Sequence, residues 1–216
     1  MRCLLLALPI CLLAPPALAD QPVTRDGFFL RLALGGGGLN MGREGRVSAG
    51  SSSYYTGSSR ISGGIGASEL SVGGTLGSGV VLAATLLNHE IGDPKLTSDG
   101  RSDLPLDGPL HFVLLGVSLE YFPDPRGGFH FGGTVGVAGA WAKAPDPRWT
   151  EYLGGAGGAL SLTAGYLWWV SDRWSLGTHL RLTGANLHGE DSALGVTASE
   201  DDKLGALAAF VQGTFH

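Results

Sequence analysis

The chain has few cysteines and few charged residues. Of its 216 residues only Cys3 and Cys11 are cysteines, so a fold built from the rest has no disulfide. Charged residues make up 15% of the sequence, against about 25% in an average soluble domain. The net charge is −5 and no basic block occurs, which argues against nucleic acid as the main partner.

Glycine and apolar side chains are abundant instead. Glycine accounts for 37 residues, without the strict third-residue period of collagen. Hydrophobic residues make up 44% of the chain, which excludes a largely disordered protein. This composition disfavours a cytosolic helical enzyme.

The N-terminus has the pattern of a targeting segment. A basic start, the apolar run Leu4–Leu13 and the small-residue motif Ala17–Ala19 predict a secretory signal peptide over residues 1–19. The apolar run is too short for the alternative, an uncleaved anchor helix. Both cysteines lie in the removed piece, and residues 20–216 are expected to form a single domain.

Eight segments have the two-residue period of β-strands. Each is long enough to cross a bilayer as a tilted strand. The clearest are Gly27–Gly36, Leu110–Phe122, Gly128–Trp141 and Trp174–Ala185, and the weaker ones are Ser62–Gly74, Gly79–His89, Gly155–Trp169 and Leu204–Phe215.

The two faces of these segments differ. One face carries large aliphatic and aromatic side chains, and the other carries Gly, Ala, Ser and Thr with lone charges. A soluble barrel would place its charges outside, so this pattern predicts the inverted arrangement of a membrane barrel. Leu153–Val170, 18 residues without a charge, also meets the length rule for a membrane helix. Its glycines and its strand neighbours favour a strand there, because an isolated helix would leave sheet edges unpaired in lipid.

The predicted connections alternate in length. Short links near Gly74–Ser78, Pro123–Gly127 and Val170–Arg173 alternate with longer ones. All long links then fall at one end of an up-and-down sheet, as in membrane barrels. The predicted long links are Gly38–Ser59, Glu90–Pro109, Ala142–Gly154 and Asn186–Lys203.

Aromatic residues cluster at the short-link end, which is typical of a membrane-interface girdle. Trp141, Trp149 and Tyr152 flank a long link at the other end. The residues assigned to the interface are Phe28, Tyr121, Phe129, Phe131, Trp168, Trp174 and Phe215.

The chain resembles the small eight-stranded outer-membrane β-barrels of Gram-negative bacteria, of the OmpA/OmpX type. The resemblance spans nearly all of residues 20–216 and rests on Gly27–Leu32, Leu76–Leu82 and Trp168–Gly177. It implies an all-β, membrane-spanning antiparallel up-and-down barrel, porin-like in build, in the cell outer membrane. Barrels of this family usually end on an aromatic residue that the insertion machinery reads, whereas here His216 follows Phe215.

Six ionisable residues fall on the small-residue face. An eight-stranded lumen is only wide enough for side chains to fill, so buried charges there must be paired. We expect them to form a plug rather than a gated proton or solute path. The six are Arg31, Glu69, Glu120, His130, His179 and Arg181.

Two further site types compete with this interpretation. A lipid hydrolase would need a Ser–His–acid set near His89, His111 or His188, but no spacing singles out a nucleophile. Acidic residues in two long links could hold calcium, although no EF-hand spacing occurs and solvated loops are favoured. These residues are Asp93, Asp99, Asp103, Asp107, Glu190, Asp191, Glu200, Asp201 and Asp202.

The sequence therefore predicts a non-enzymatic barrel without cofactor or metal, with a closed polar lumen and a structural or surface-interaction role. The alternatives are a narrow channel for small or hydrophobic solutes and, more remotely, a lipid-modifying hydrolase. The expected partners are outer-membrane lipid, the barrel insertion machinery and an extracellular ligand of the loops, with no nucleic acid.

Overall fold

The computed structural model describes residue 25 and residues 27–49, 52–98, 101–105, 108–143, 152–193 and 196–216. The predicted signal peptide lies outside these residues. The described part of the chain contains ten strands: β1 (Phe28–Ala49), β2 (Ser52–Gly77), β3 (Val80–Ile91), β4 (Lys95–Ser98), β5 (Arg101–Pro105), β6 (Leu110–Tyr121), β7 (Phe129–Lys143), β8 (Tyr152–Trp169), β9 (Trp174–Ala193) and β10 (Val196–Phe215).

Eight of the strands close into an antiparallel barrel. Each of these eight strands pairs with the next one around the ring, and β1 pairs with both β2 and β10, so the eight strands close on themselves. A line of paired residues followed around the barrel leaves β1 at Gly38 and returns to it at Phe28, a stagger of ten residues. Such a stagger tilts the strands by about 40°. The predicted fold class, a membrane-spanning eight-stranded up-and-down barrel, is confirmed.

The short connections lie where the sequence places them. The link between β2 and β3 consists of Ser78 and Gly79, with φ angles of 51° and 79°. Two successive residues with positive φ give a tight hairpin turn whose twist matches that of the strands, and glycine adopts this conformation without strain. Pro123–Gly127 and Val170–Arg173 are likewise turns at the same end.

The predicted long connections are largely wrong. Gly38–Ser59 and Asn186–Lys203 continue the strands, since β1 extends to Ala49 and β9 to Ala193. Glu90–Pro109 contains the small hairpin β4–β5, whose first strand pairs with the outer part of β2. For the fourth link, β7 ends at Lys143 and β8 begins at Tyr152, with residues 144–151 outside the described part. Glycine and serine had indicated loops there, but tertiary pairing overrides such weak local preferences.

The alternative of a helix over Leu153–Val170 is also wrong. These residues belong to β8, which pairs with β7 on one side and β9 on the other. In the described ranges no helix is long and apolar enough to cross a membrane.

An apolar band surrounds the barrel at the short-turn end. Its aliphatic side chains point outward, and Leu34 is 73% exposed. On β9 the band runs from Trp174 to Gly184, and this stretch of tilted strand spans about 25 Å, the height of a membrane-barrel apolar belt. The band therefore matches the hydrocarbon core of a bilayer.

Beyond this band the apolar face reverses. On β1, Leu30, Leu32 and Leu34 point outward, whereas Leu39 and Met41 farther along point inward and are buried. The strand itself does not flip, because it keeps one continuous register with β10. We call the half of the barrel away from the short turns the outer half. It is built like a soluble barrel, with a polar exterior and an apolar interior.

Candidate functional site

An ion pair spans the lumen between β1 and β6. The guanidinium of Arg31 donates to both carboxylate oxygens of Glu120, with an Nη2 to Oε2 distance of 2.7 Å. Both residues are buried, at 0% and 2% exposure. This two-pronged geometry is the strongest form of charge-assisted hydrogen bond.

The second carboxylate, that of Glu69, lies in the same layer. It is contacted by Arg181 Nη2 at 3.0 Å and by His179 Nε2 at 3.1 Å, and it accepts a hydrogen bond from Ser71 Oγ at 2.9 Å. Arg31 Nη1 lies 3.6 Å away and links the two pairs. Two arginines thus balance two buried glutamates, as a low-dielectric lumen requires.

Two histidines complete this layer. His179 Nδ1 lies 3.0 Å from Gln212 Oε1, and its ring stacks on Phe210 with centroids 4.6 Å apart. His130 stacks on Phe122, and its Nε2 lies 4.0 Å from Glu120 Oε2. The structure therefore brings together all six ionisable residues that the sequence assigned to the lumen.

A chain of hydroxyl groups, which the sequence reasoning missed, crosses four strands beside the charges. Successive oxygens of Ser71, Thr85, Ser118 and Thr134 lie 2.8, 2.6 and 2.7 Å apart. Thr134 Oγ1 also accepts a hydrogen bond from Arg181 Nη1 at 3.0 Å. The sequence signal that could have revealed these hydroxyl residues is their position on the inward face of the strands, next to the charged residues. We call the six ionisable residues and these four hydroxyl residues the polar layer.

The short-turn end of the lumen is covered by Arg25 and His216. The Arg25 guanidinium lies 4.2 Å from the Phe122 ring centroid and 4.8 Å from that of Trp169, and it donates to the carbonyl oxygens of Pro125 and Gly127. Burial lowers the pKa of Arg25 to about 10. Cation–π contacts and backbone carbonyls together hold the guanidinium across the mouth.

His216 lies beside this arginine. Its Nε2 lies 3.0 Å from Ser175 Oγ, and its ring contacts Phe29 and Trp169. Burial, followed by the charges of Arg25 and Arg31, lowers the pKa of His216 to about 3. The ring is therefore neutral at physiological pH, and we call Arg25 and His216 with the rings around them the short-turn cap.

An apolar layer fills the lumen on the outer side of the polar layer. His89 marks the boundary: it is 1% exposed, packs on Phe112 at 5.7 Å, and neither ring nitrogen has a hydrogen-bond partner among the described residues. The apolar layer consists mainly of Leu39, Met41, Ile61, Ile65, Leu87, Ile91, Leu110, Phe112, Leu114, Leu187 and Leu204. The sequence interpretation of a uniformly polar lumen is therefore wrong for the outer half.

A further buried ion pair lies at the outer end. Arg43 donates from Nε and Nη2 to the two carboxylate oxygens of Asp202, at 2.8 and 2.9 Å, and its Nη1 lies 3.0 Å from Glu200 Oε2. Burial alone would lower the pKa of Arg43, but the hydrogen bonds and charges of these carboxylates raise it overall. Burial raises the pKa of Glu200 against the opposing influence of Arg43.

The aromatic residues assigned to the membrane interface lie on the outer surface. All except Phe215, which is half-buried, are between 41% and 53% exposed. Phe215 contacts Phe28 at 6.2 Å and Trp174 at 5.4 Å, so these three rings form one cluster on the outer surface. At the other end Trp141 stacks on His111 at 5.6 Å, and Trp149 lies outside the described residues.

The structure does not assemble the alternative sites. No hydrogen bond between described residues joins His89, His111 or His188 to a serine, and His188 instead pairs with Asp201 at 2.9 Å. Among the described residues no group of three or more His, Cys, Asp or Glu side chains could hold a metal ion. Asp99 and Asp107 lie outside the described part of the chain.

Comparison with known proteins gives structural likeness only. No protein-family model matches the chain, and no curated protein matches its sequence. The outer membrane protein OprG from Pseudomonas aeruginosa is similar with a TM-score of 0.50 and 15% identity, over 91% of this chain and 98% of that one. Neisserial surface protein A (NspA) gives a TM-score of 0.49 and 12% identity, over 86% of this chain and 96% of that one.

AlkL, an outer membrane protein solved in lipid bilayers, gives a TM-score of 0.46 and 14% identity, over 92% of this chain and 96% of that one. The fold assignment depends on the closed sheet, its apolar band and the likeness to OprG. The chain has the fold of the small eight-stranded outer-membrane β-barrels.

Proposed function

We propose that the protein resides in the outer membrane of a Gram-negative cell, after export and removal of residues 1–19, and acts there as a closed barrel with a structural or surface-interaction role. The observation that carries this proposal is the polar layer. Its two arginines and two glutamates are at most 3% exposed and are bonded to one another across the lumen. Opening such a network would strand buried charges, which costs several kcal/mol per ion.

Two further layers support closure. The short-turn cap covers one mouth with aromatic rings, and the apolar layer fills the other half of the lumen with aliphatic side chains. A hydrated ion crossing this barrel would have to displace all three layers. Dense packing of this kind is expected where eight strands leave room only for side chains.

The surface-interaction role is supported by the outer half of the barrel. β1, β2, β9 and β10 continue well past the apolar band and carry polar side chains such as Glu44, His188 and Asp201 on their outer face. A rigid sheet of this kind can present residues to a partner outside the cell. The proposed partners are membrane lipid, the insertion machinery during assembly and an extracellular ligand.

Planar-bilayer recordings test the closed lumen. We expect the purified barrel to give no steady unitary conductance steps under conditions in which a porin, added as positive control, conducts. Uniform, reproducible steps from the wild-type barrel would overturn the proposal.

Gel mobility of the outer-membrane fraction, with and without boiling, tests the membrane location first. A closed barrel resists detergent until it is heated, so its band should shift on boiling. A soluble protein without a shift would refute the membrane location.

A second candidate function is favoured by the apolar layer. An apolar solute could enter the outer half of the lumen by displacing the side chains that fill it, and these are aliphatic and aromatic. The polar layer blocks its passage onward, so it would have to leave sideways through the wall. Vesicle uptake of an apolar dye separates the candidates, because a structural barrel gives the same uptake rate as protein-free vesicles.

The proposal includes no catalytic role. Its support is that His89, His111 and His188 form no hydrogen bond with a serine among the described residues. Incubation of the purified barrel with labelled phospholipid or lipopolysaccharide tests this, and a released product that scales with protein amount would contradict it.

A further inference from the structure

Three aromatic rings at the short-turn end of the lumen each contact one arginine and one histidine. Phe122 has the Arg25 guanidinium 4.2 Å from its centroid, and the His130 ring stacks on it with centroids 5.0 Å apart. Trp169 has the same guanidinium at 4.8 Å and the His216 ring at 4.9 Å. Both histidines therefore lie one ring away from a fixed positive charge.

Phe29 repeats this arrangement with the other arginine of this end. The Arg31 guanidinium lies 5.1 Å from its centroid, and the His216 ring lies 5.9 Å from it. An aromatic face attracts one cation, and a neutral imidazole beside it adds no charge. A second cation on the same ring would be repelled by the first across aromatic carbon, where water screens the repulsion little.

Few negative charges are available here to offset a further cation. Among the described side chains, Glu120 is the one carboxylate whose charge acts on both histidines. Arg31 already donates to both of its oxygens, and His130 Nε2 lies 4.0 Å from one of them. The other ionisable groups that face one or both histidines are Arg25, Arg31 and His179.

Burial makes this charge balance matter. Arg25 is 3% exposed, His130 0% and His216 9%. With both histidines neutral, two arginines face one carboxylate. With both histidines protonated, four cations would crowd around that carboxylate, so the closed arrangement is stable only while the histidines are neutral.

We propose that the short-turn cap is an acid-sensitive closure, in which protonation of His216 and His130 releases Arg25 and His216 from the mouth of the lumen. The pKa of His216 is about 3 in the cap, against about 6.5 in water. The released state thus binds protons more readily, and it gains on the closed state as the pH falls below about 6.5. Uptake of two protons makes the response steeper than a single titration.

Hydrogen exchange of the full mature barrel in detergent micelles, followed by NMR, tests the inference. The reporters are the amide of His216, which donates to the Arg173 carbonyl oxygen at 2.9 Å, and the amide of Thr75, which donates to that of Gly27 at 2.8 Å. After correction for the intrinsic pH dependence of exchange, both should exchange about tenfold faster at pH 3.5 than at pH 7. The amides of Leu32–Leu34 should not change, because the barrel itself stays folded.

Histidine variants separate this mechanism from general acid loosening. The double variant His130→Gln and His216→Gln keeps polar side chains but cannot take up the protons, so the acid response should disappear. His216→Gln alone should make the response shallower, which keeps the test readable if the double variant does not fold. The matched control, His111→Gln with His188→Gln in the outer half, should respond as the wild type does.

Three results would overturn the inference. They are an acid response that survives in the double variant, exchange that rises equally at Leu32–Leu34, and wild-type exchange that stays constant between pH 7 and pH 3. The inference goes beyond the proposed function. Conductance at pH 7 would refute the closed lumen but would leave the exchange measurement readable, so the two failures are distinguishable.

Discussion

The substitution Glu120→Gln should destabilise the barrel strongly. Glu120 is 2% exposed and accepts both prongs of the Arg31 guanidinium. Glutamine keeps the volume of the side chain and one acceptor oxygen but removes the negative charge. Arg31 would then have only Glu69, at 3.6 Å, as an anionic neighbour, and Glu69 already contacts Arg181 and His179.

The expected loss follows from the burial of this pair. Removing one partner of a buried ion pair costs about 3–5 kcal/mol, because the other charge stays uncompensated. The residual acceptor and the nearby Glu69 place Glu120→Gln at the lower end, near 3 kcal/mol. That corresponds to a factor of about 100 in the folding equilibrium.

Urea unfolding of the barrel in lipid vesicles, followed by gel mobility, measures this loss. The matched control Glu44→Gln changes an exposed acid without an ion pair among the described residues and should alter the unfolding free energy by less than about 0.5 kcal/mol. The double variant Arg31→Met and Glu120→Leu should cost less than Glu120→Gln alone, because no charge is left unpaired. Equal effects of Glu120→Gln and Glu44→Gln would refute the reasoning.

Three further substitutions test other parts of the barrel. Gly37→Ala should prevent folding into the barrel that shifts on boiling, because its Cβ would lie 1.9 Å from the carbonyl oxygen of Leu207. The control Gly38→Ala should fold normally, because the nearest atom to its Cβ would be 4.0 Å away. Equal folding of both variants, judged by comparing boiled and unboiled samples on a gel, would contradict this. Arg43→Gln should leave Asp202 buried and unpaired. Hydrogen exchange at the outer ends of β1 and β10 should then be about tenfold faster. Unchanged exchange would show that the ion pair does not hold those ends together. His216 has a pKa of about 3 in the folded barrel, below its value of about 6.5 when unfolded, so its contribution to stability is present above pH 6.5 and is lost as the pH falls toward 3. In His216→Gln the urea midpoint of unfolding should depend less on pH between pH 6.5 and pH 3 than in the wild type. An unchanged pH dependence would contradict the assignment.

The part of the fold inside the membrane could be predicted from the sequence. Leu30, Leu32 and Leu34 alternate with Phe29, Arg31 and Ala33, and a bilayer selects this alternation directly. The same alternation placed Arg31, Glu120 and Arg181 on the inner face. Their pairing followed from charge balance in a narrow lumen, but the individual contacts, such as Glu69 with His179, depend on the stagger of the strands, which no local pattern encodes.

The outer half was missed because its signals conflict locally. Residues 38–59 are rich in glycine and serine and indicate a loop, yet β1 and β2 pair through most of them. A second signal was present in Leu39 and Met41, which are apolar at odd positions, whereas Leu30–Leu34 are apolar at even ones. A phase change within an unbroken strand means that the surroundings change from lipid to water, and this would have predicted an extended barrel with an apolar interior.

The glycine run Gly35–Gly38 lies where that reversal occurs. On the inner side, Gly35 and Gly37 are packed against the carbonyl oxygens of Ala209 and Leu207, with no room for a Cβ. On the outer side, Gly36 and Gly38 leave the surface without large side chains at the edge of the apolar band. On β1 the four glycines leave both faces without a large side chain at the point where the apolar face changes sides. The same change of phase places the polar layer within the membrane and the apolar layer near its outer edge, so an ion entering from outside meets an apolar barrier before it reaches any charge. The apolar layer lies between the polar layer and the outer opening, so this order of layers supports the proposed closed lumen independently of the ion pairs.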